Sequence, residues 1–79
     1  MASPAHFKDF KRWFTRQGVA IAQCASASHH KMTKVIDGKM VIYIIAVHSN
    51  TVDPVYTRKA RRRFRLLRED GVSDKDFFA

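Results

Sequence analysis

His29-His30-Lys31-Met32-Thr33-Lys34-Val35-Ile36-Asp37-Gly38-Lys39-Met40-Val41-Ile42-Tyr43-Ile44-Ile45-Ala46-Val47 carries the strongest local signal in the chain. At its centre, Asp37-Gly38 is a two-residue hairpin turn, because both residues tolerate the positive φ of a tight antiparallel connection. The flanks then predict strands over 29–36 and 40–47. The second flank is rich in Val, Ile and Tyr and reads as a central strand covered on both faces. A third, short apolar strand is expected over 19–24. The link over 25–28 is small and polar enough for a turn.

Helical patterns lie outside these strands. Ser3-Pro4 is a cap followed by a first-turn proline. Phe7, Phe10 and Phe14 then recur at helical spacing with Trp13 on the flank, while Lys8, Arg12 and Arg16 lie opposite. Gly18 suits a left-handed stop, so a helix is predicted over 4–17. Asp53-Pro54 repeats the start signal. Tyr56, Ala60, Phe64 and Leu67 form an apolar arc, with Arg58, Arg61, Arg62, Arg65 and Arg68 on the other side. This helix is predicted over 54–69, with Gly71 as its stop. The tail from Ser73 onward carries Phe77 and Phe78, which need a pocket.

The expected architecture is α+β with the order α-β-β-β-α. It is a three-stranded antiparallel sheet with two helices on one face. The double-stranded-RNA-binding domain has a similar order.

The chain has 79 residues, room for one domain and one modest core. A hydrophobic fraction of 46% is ordinary for a folded protein. Lys plus Arg number 15 against 7 acids, a net charge of +8. That excess points to a polyanion or another acidic partner. Residues 58–68 hold seven basic side chains and no acid. Surface helices usually interleave both signs, so this run predicts nucleic-acid contact through Arg58, Arg61, Arg62 and Arg65, with Lys31 and Lys34 contributing. An acidic protein is the other partner class, and a solvated helix face is the plain structural reading. A membrane is disfavoured, because the helix needs its apolar arc for the core.

Cys24 is the sole cysteine, so an internal disulfide is excluded and a reducing, cytoplasmic location is expected. It reads as a small buried apolar residue. No long apolar run follows Met1, so no secretory leader is expected. The longest apolar run, residues 40–47, is far short of the ~20 residues of a membrane helix.

There are four histidines: His6, His29, His30 and His48. Adjacent residues of a strand point to opposite faces. The His29-His30 pair therefore makes a poor metal site, and neither metal nor cofactor is expected. One histidine suffices for another chemistry. RNA carries its own nucleophile, the 2′-hydroxyl, which a neutral imidazole can deprotonate near neutral pH. Arg or Lys can then stabilise charge developing on the phosphate. The plain alternatives are a locally hydrogen-bonded His29 or His30, and His48 as a turn residue.

Ser28-His29-His30 stands between a helix-Gly-strand segment and the Asp37-Gly38 hairpin. An apolar strand, Val47-His48-Ser49-Asn50 and a closing helix follow. This arrangement resembles the HicA-type mRNA interferase toxins over about residues 7–71. The resemblance implies a double-stranded-RNA-binding-domain-like fold and cleavage of mRNA. It implies His29 as the catalytic histidine, Ser28 as its neighbour and a HicB-type antitoxin as partner. His48 falls near the place of a second family histidine. The chain departs from the family at Ala27, where glycine is usual, at Lys31, where an aromatic is common, and in its arginine-rich second helix. A second reading is a non-catalytic module for RNA or DNA, with Thr57-Arg58-Lys59-Ala60-Arg61 facing the phosphates. A third is a small basic adaptor for an acidic protein.

Overall fold

Asp37 and Gly38 adopt φ of 53° and 78°, the two positive values that a tight hairpin demands. The turn joins strands β3 (His29–Ile36) and β4 (Lys39–Ala46), paired antiparallel from Ile36↔Lys39 to His29↔Ala46. β2 (Ala20–Gln23) pairs with the other side of β3, from Ala20↔Thr33 to Gln23↔His30. The computed structural model describes residues 4–25 and 28–78, with the backbone alone at 78. The predicted cap Ser3, Ser26 and Ala27 of the predicted turn, and the Phe78 side chain lie outside the described residues.

Sheet order is β2-β3-β4. The most apolar strand, β4, is therefore an edge and not the doubly covered centre that its composition predicts. Val41, Tyr43 and Ile45 turn inward with Met32 and Ile21, while Met40, Ile42, Ile44 and Val35 face out. Val35, Met40 and Ile44 keep 60%, 59% and 51% of their surface exposed. The physical reason is size. A chain this short supplies one layer of helices, and one layer covers one face.

α1 (Phe7–Arg16) buries Phe10, Trp13 and Phe14 on the inner face, as its apolar stripe predicts. It starts three residues later than expected. His6 is the cap, its Nδ1 accepting from the Lys8 N–H at 3.2 Å. Ala5 and His6 instead form a two-residue strand, β1, against β5 (Thr51–Val52). The Phe7 N–H donates to the Asn50 carbonyl at 2.7 Å. This long-range pairing offers the backbone of residues 5–7 partners that a helical turn cannot better. Gly18, at φ 83°, ends the helix as predicted.

α2 (Pro54–Arg63) begins where expected, with Asp53 accepting from the Val55 N–H at 2.9 Å. It stops six residues earlier than its apolar arc predicts. Arg65 takes φ 56°, and the Leu66 N–H closes back on the Arg61 carbonyl at 2.7 Å. That is a left-handed helix end built without glycine. Leu66 turns into the core as a result. Gly71 closes only a short 3₁₀ turn over Arg68–Asp70.

Arg61 corrects a second expectation. Predicted to be solvent-exposed, it is 5% exposed. Its Nε donates to the Leu66 carbonyl at 3.0 Å, and its Nη1 lies 3.0 Å from Asp74. The guanidinium sits 4.5 Å above the Phe77 ring. Phe77, on α3 (Lys75–Phe78), is fully buried against Phe14. This tail aromatic thus has its pocket, and Arg61 is its lid. Among the described residues, no helix is long and apolar enough to cross a membrane.

Arg61→Ala should cost about 2–3 kcal/mol in chemical denaturation, since it removes a charged hydrogen bond, an ion pair and a cation–π contact together. Arg58→Ala, at an exposed position, should change stability by less than about 0.5 kcal/mol. Tyr43 supplies a pH test. Burial first, and the neighbouring Tyr56 second, raise its phenol above the usual range. A raised folded-state value contributes stability that is complete below the unfolded pKa of about 10 and is lost as pH climbs through the folded value. Tyr43→Phe should flatten that alkaline loss in denaturation curves taken from pH 9 upward.

Candidate nucleic-acid interface

Strand alternation separates the two histidines at the start of β3. His29 lies on the outer face opposite Ala46, exposed, with its Nδ1 3.5 Å from the Ser28 hydroxyl. Lys31, two residues on, shares that face and is exposed. His30 turns inward between Gln23 and Ile45 and is half-buried. Its ring meets Phe7 at 4.5 Å between centroids, and its Nδ1 is buried with no hydrogen-bond partner among the described residues. His30 lines an open cleft with Phe7, Gln23, Ser28, Ser49 and Asn50.

His48 is exposed at the foot of a tight turn. Its backbone exchanges two hydrogen bonds with Thr51, at 3.0 and 2.9 Å, and its carbonyl also accepts from the Thr51 hydroxyl at 2.7 Å. Ser49 and Asn50 take φ of 51° and 62° inside this turn. These backbone bonds account for the position of His48 as a turn residue.

Helix geometry sorts the basic run. Arg58, Lys59, Arg62 and Arg63 are exposed on α2, and no carboxylate among the described residues pairs with them. Lys59, Arg62 and Arg63 surround a depression floored by Tyr43, along the open edge of β4. The Arg63 Nε donates to the Ile42 carbonyl at 3.3 Å, so this cation also covers part of that edge. Arg65 lies beyond the helix and pairs with Asp37 at 2.6 Å, both exposed. Arg61 is buried, as described. Lys34 falls on the inward-facing parity of β3, half-buried, with its Cε beside Gly18.

The predicted cationic set is thus divided. Arg58 and Arg62 belong to one exposed face, to which Lys59 and Arg63 must be added. The sequence carried a signal for both, since they sit in the same acid-free run. The helix end at Arg63 shows which arginines remain on that face. His29 and Lys31 lie on the outer side of the sheet, whereas α2 packs on the inner side. The structure therefore does not gather all the predicted residues into one site. Cys24 is half-buried, and its N–H donates to the His29 carbonyl at 2.9 Å. Among the described residues, no group of three or more His, Cys, Asp or Glu side chains comes together as a metal site. No family model, curated protein or solved structure matches the chain.

Proposed function

We propose that this protein binds RNA and cleaves it as a toxin-like endoribonuclease, an mRNA interferase, with a histidine as general base and no metal. The carrying observation is the exposed quartet Arg58, Lys59, Arg62 and Arg63, which has no acidic partner among the described residues. Cations left without acidic partners are open to phosphates, and each neutralised phosphate releases condensed counterions. The one-sided antiparallel sheet with helices on its inner face supports a double-stranded-RNA-binding-domain-like architecture. The β1–β5 pair is an addition to that plan.

In this reading His29 removes the proton of an RNA 2′-hydroxyl, and Ser28 orients its ring. The 2′-oxygen attacks the adjacent phosphorus and the bond to the 5′-oxygen breaks. A protonated second group, His48 or another side chain, donates a proton to the leaving oxygen. The products are a 2′,3′-cyclic phosphate and a 5′-hydroxyl. Lys31, on the face of His29, stabilises the phosphorane charge. The protein acts in the cytoplasm, and a HicB-like antitoxin covers its site.

A specific observation favours a second reading, a non-catalytic nucleic-acid-binding module. His29 lies on the outer face of the sheet, whereas the cationic quartet lies on α2 and along the β4 edge, so RNA held along α2 must pass that edge to reach the imidazole. DNA or an acidic protein would then be alternative occupants of the quartet.

Two measurements test these statements. Replacing Arg58, Lys59, Arg62 and Arg63 together by Ala should weaken RNA binding and make its salt dependence shallower, by about 0.7–0.9 in log–log slope for each phosphate no longer neutralised. Unchanged binding in low salt would remove the interface. His29→Ala should keep RNA affinity but lower cleavage by about 10²–10⁴-fold, with wild-type cleavage persisting in EDTA. A wild type that binds RNA tightly and leaves it intact establishes the binding module instead.

A further inference from the structure

We infer that the cleft at the start of β3 is a nucleobase pocket, which takes one unstacked base of single-stranded RNA. The inference deepens the RNA-binding reading and rests on it. The proposed chemistry uses His29 on the outer face and touches this cleft only through Ser28.

The cleft measures about 460 Å³, within the ~300–1,000 Å³ typical of small-ligand sites. Apart from His30, no lining side chain among the described residues is ionisable. Gln23 and Asn50 contribute amides, and Ser28 and Ser49 contribute hydroxyls. Such a lining suits a neutral group that both donates and accepts hydrogen bonds. A base edge has that character and a phosphate does not. Phe7 and His30 supply the ring faces of the cleft, 4.5 Å apart between centroids and inclined by 49°. Stacking on an aromatic or imidazole ring combined with hydrogen bonds to the base edge is how proteins read single-stranded RNA.

His30 also carries an unsatisfied polar atom. Its Nδ1 is buried without a partner among the described residues, and an unsatisfied buried polar atom carries a desolvation penalty.

The Ser49–Asn50 side of the cleft is built on a hydrogen-bonded turn. Ser49 and Asn50 hold positive φ in a turn closed by the paired His48–Thr51 bonds. The Asn50 carbonyl is anchored by the Phe7 N–H at 2.7 Å. The same bond thus joins the stacking surface to the hydrogen-bonding wall. Preorganisation of this kind lowers the ordering cost of binding.

The test is an NMR titration of the full chain with UMP, CMP, AMP and GMP, and with ribose 5-phosphate as the base-less probe. Shifts of the Phe7 and His30 ring signals with at least one nucleotide, and none with ribose 5-phosphate, are expected. Gln23→Ala and Asn50→Gly should each weaken that nucleotide's binding by about tenfold, one hydrogen bond's worth. Both positions are exposed, and glycine accepts the φ of 62° at position 50, so the fold is retained. Equal shifts with ribose 5-phosphate, or shifts confined to the α2 cations, overturn the pocket. A second arm compares a single-stranded RNA with an abasic strand of equal length. Equal affinities overturn the pocket and leave the RNA-binding reading standing. Failure of both strands to bind overturns the RNA-binding reading, while the nucleotide titration still decides the pocket.

Discussion

A sheet covered on one side only imposes a period of two on everything it carries. In β3 and β4 each inward residue enters the core and each outward residue meets solvent. Met32 and Ile45 are fully buried by this rule, and Val35 and Met40, as apolar as their neighbours, are not. The rule also divides the adjacent histidines. His29 stands on an open face beside Lys31, and His30 sits against Phe7 in a cleft. A shift of one residue in register would exchange those two environments. The Asp37-Gly38 turn holds that register and so holds the chemistry possible at either surface.

The second organising feature is the use of one cation as structure within a run of cations. Arg61 bridges the end of α2, the Leu66 carbonyl, Asp74 and the Phe77 ring. It draws the acidic tail segment against the core and lets Leu66 and Phe77 be buried. A planar guanidinium suits this position, because it can donate in its plane and stack by its face at once. Its neighbours Arg58, Arg62 and Arg63 remain outside. A dense basic run therefore serves two ends, and only the exposed part can meet a polyanion.

The open edge of β4 has a third consequence. An edge strand with outward-facing Met40, Ile42 and Ile44 invites pairing with another chain. Arg63, bonded to the Ile42 carbonyl, and the neighbouring Lys59 and Arg62 place positive charge along that edge. A second copy would bring the same charges and be repelled, which disfavours edge-to-edge pairing.

Local chemistry in the sequence was sufficient for the hairpin, for the Phe10/Trp13/Phe14 stripe, for the Asp53-Pro54 start of α2 and for the Gly18 stop. Each depends on residues within a few positions of one another, where φ preference, capping and helical spacing act directly. Sequence also announced a cationic surface, since net charge needs no coordinates. Strand order, the early end of α2, the β1–β5 pair, the burial of Arg61 and the His30 cleft were decided by tertiary structure. All of these turn on which distant group satisfies a hydrogen bond or covers a surface. Ile44 and Ile45 are equally apolar in sequence, and only the layer of helices packed against one face of the sheet determines that one is buried and the other is not.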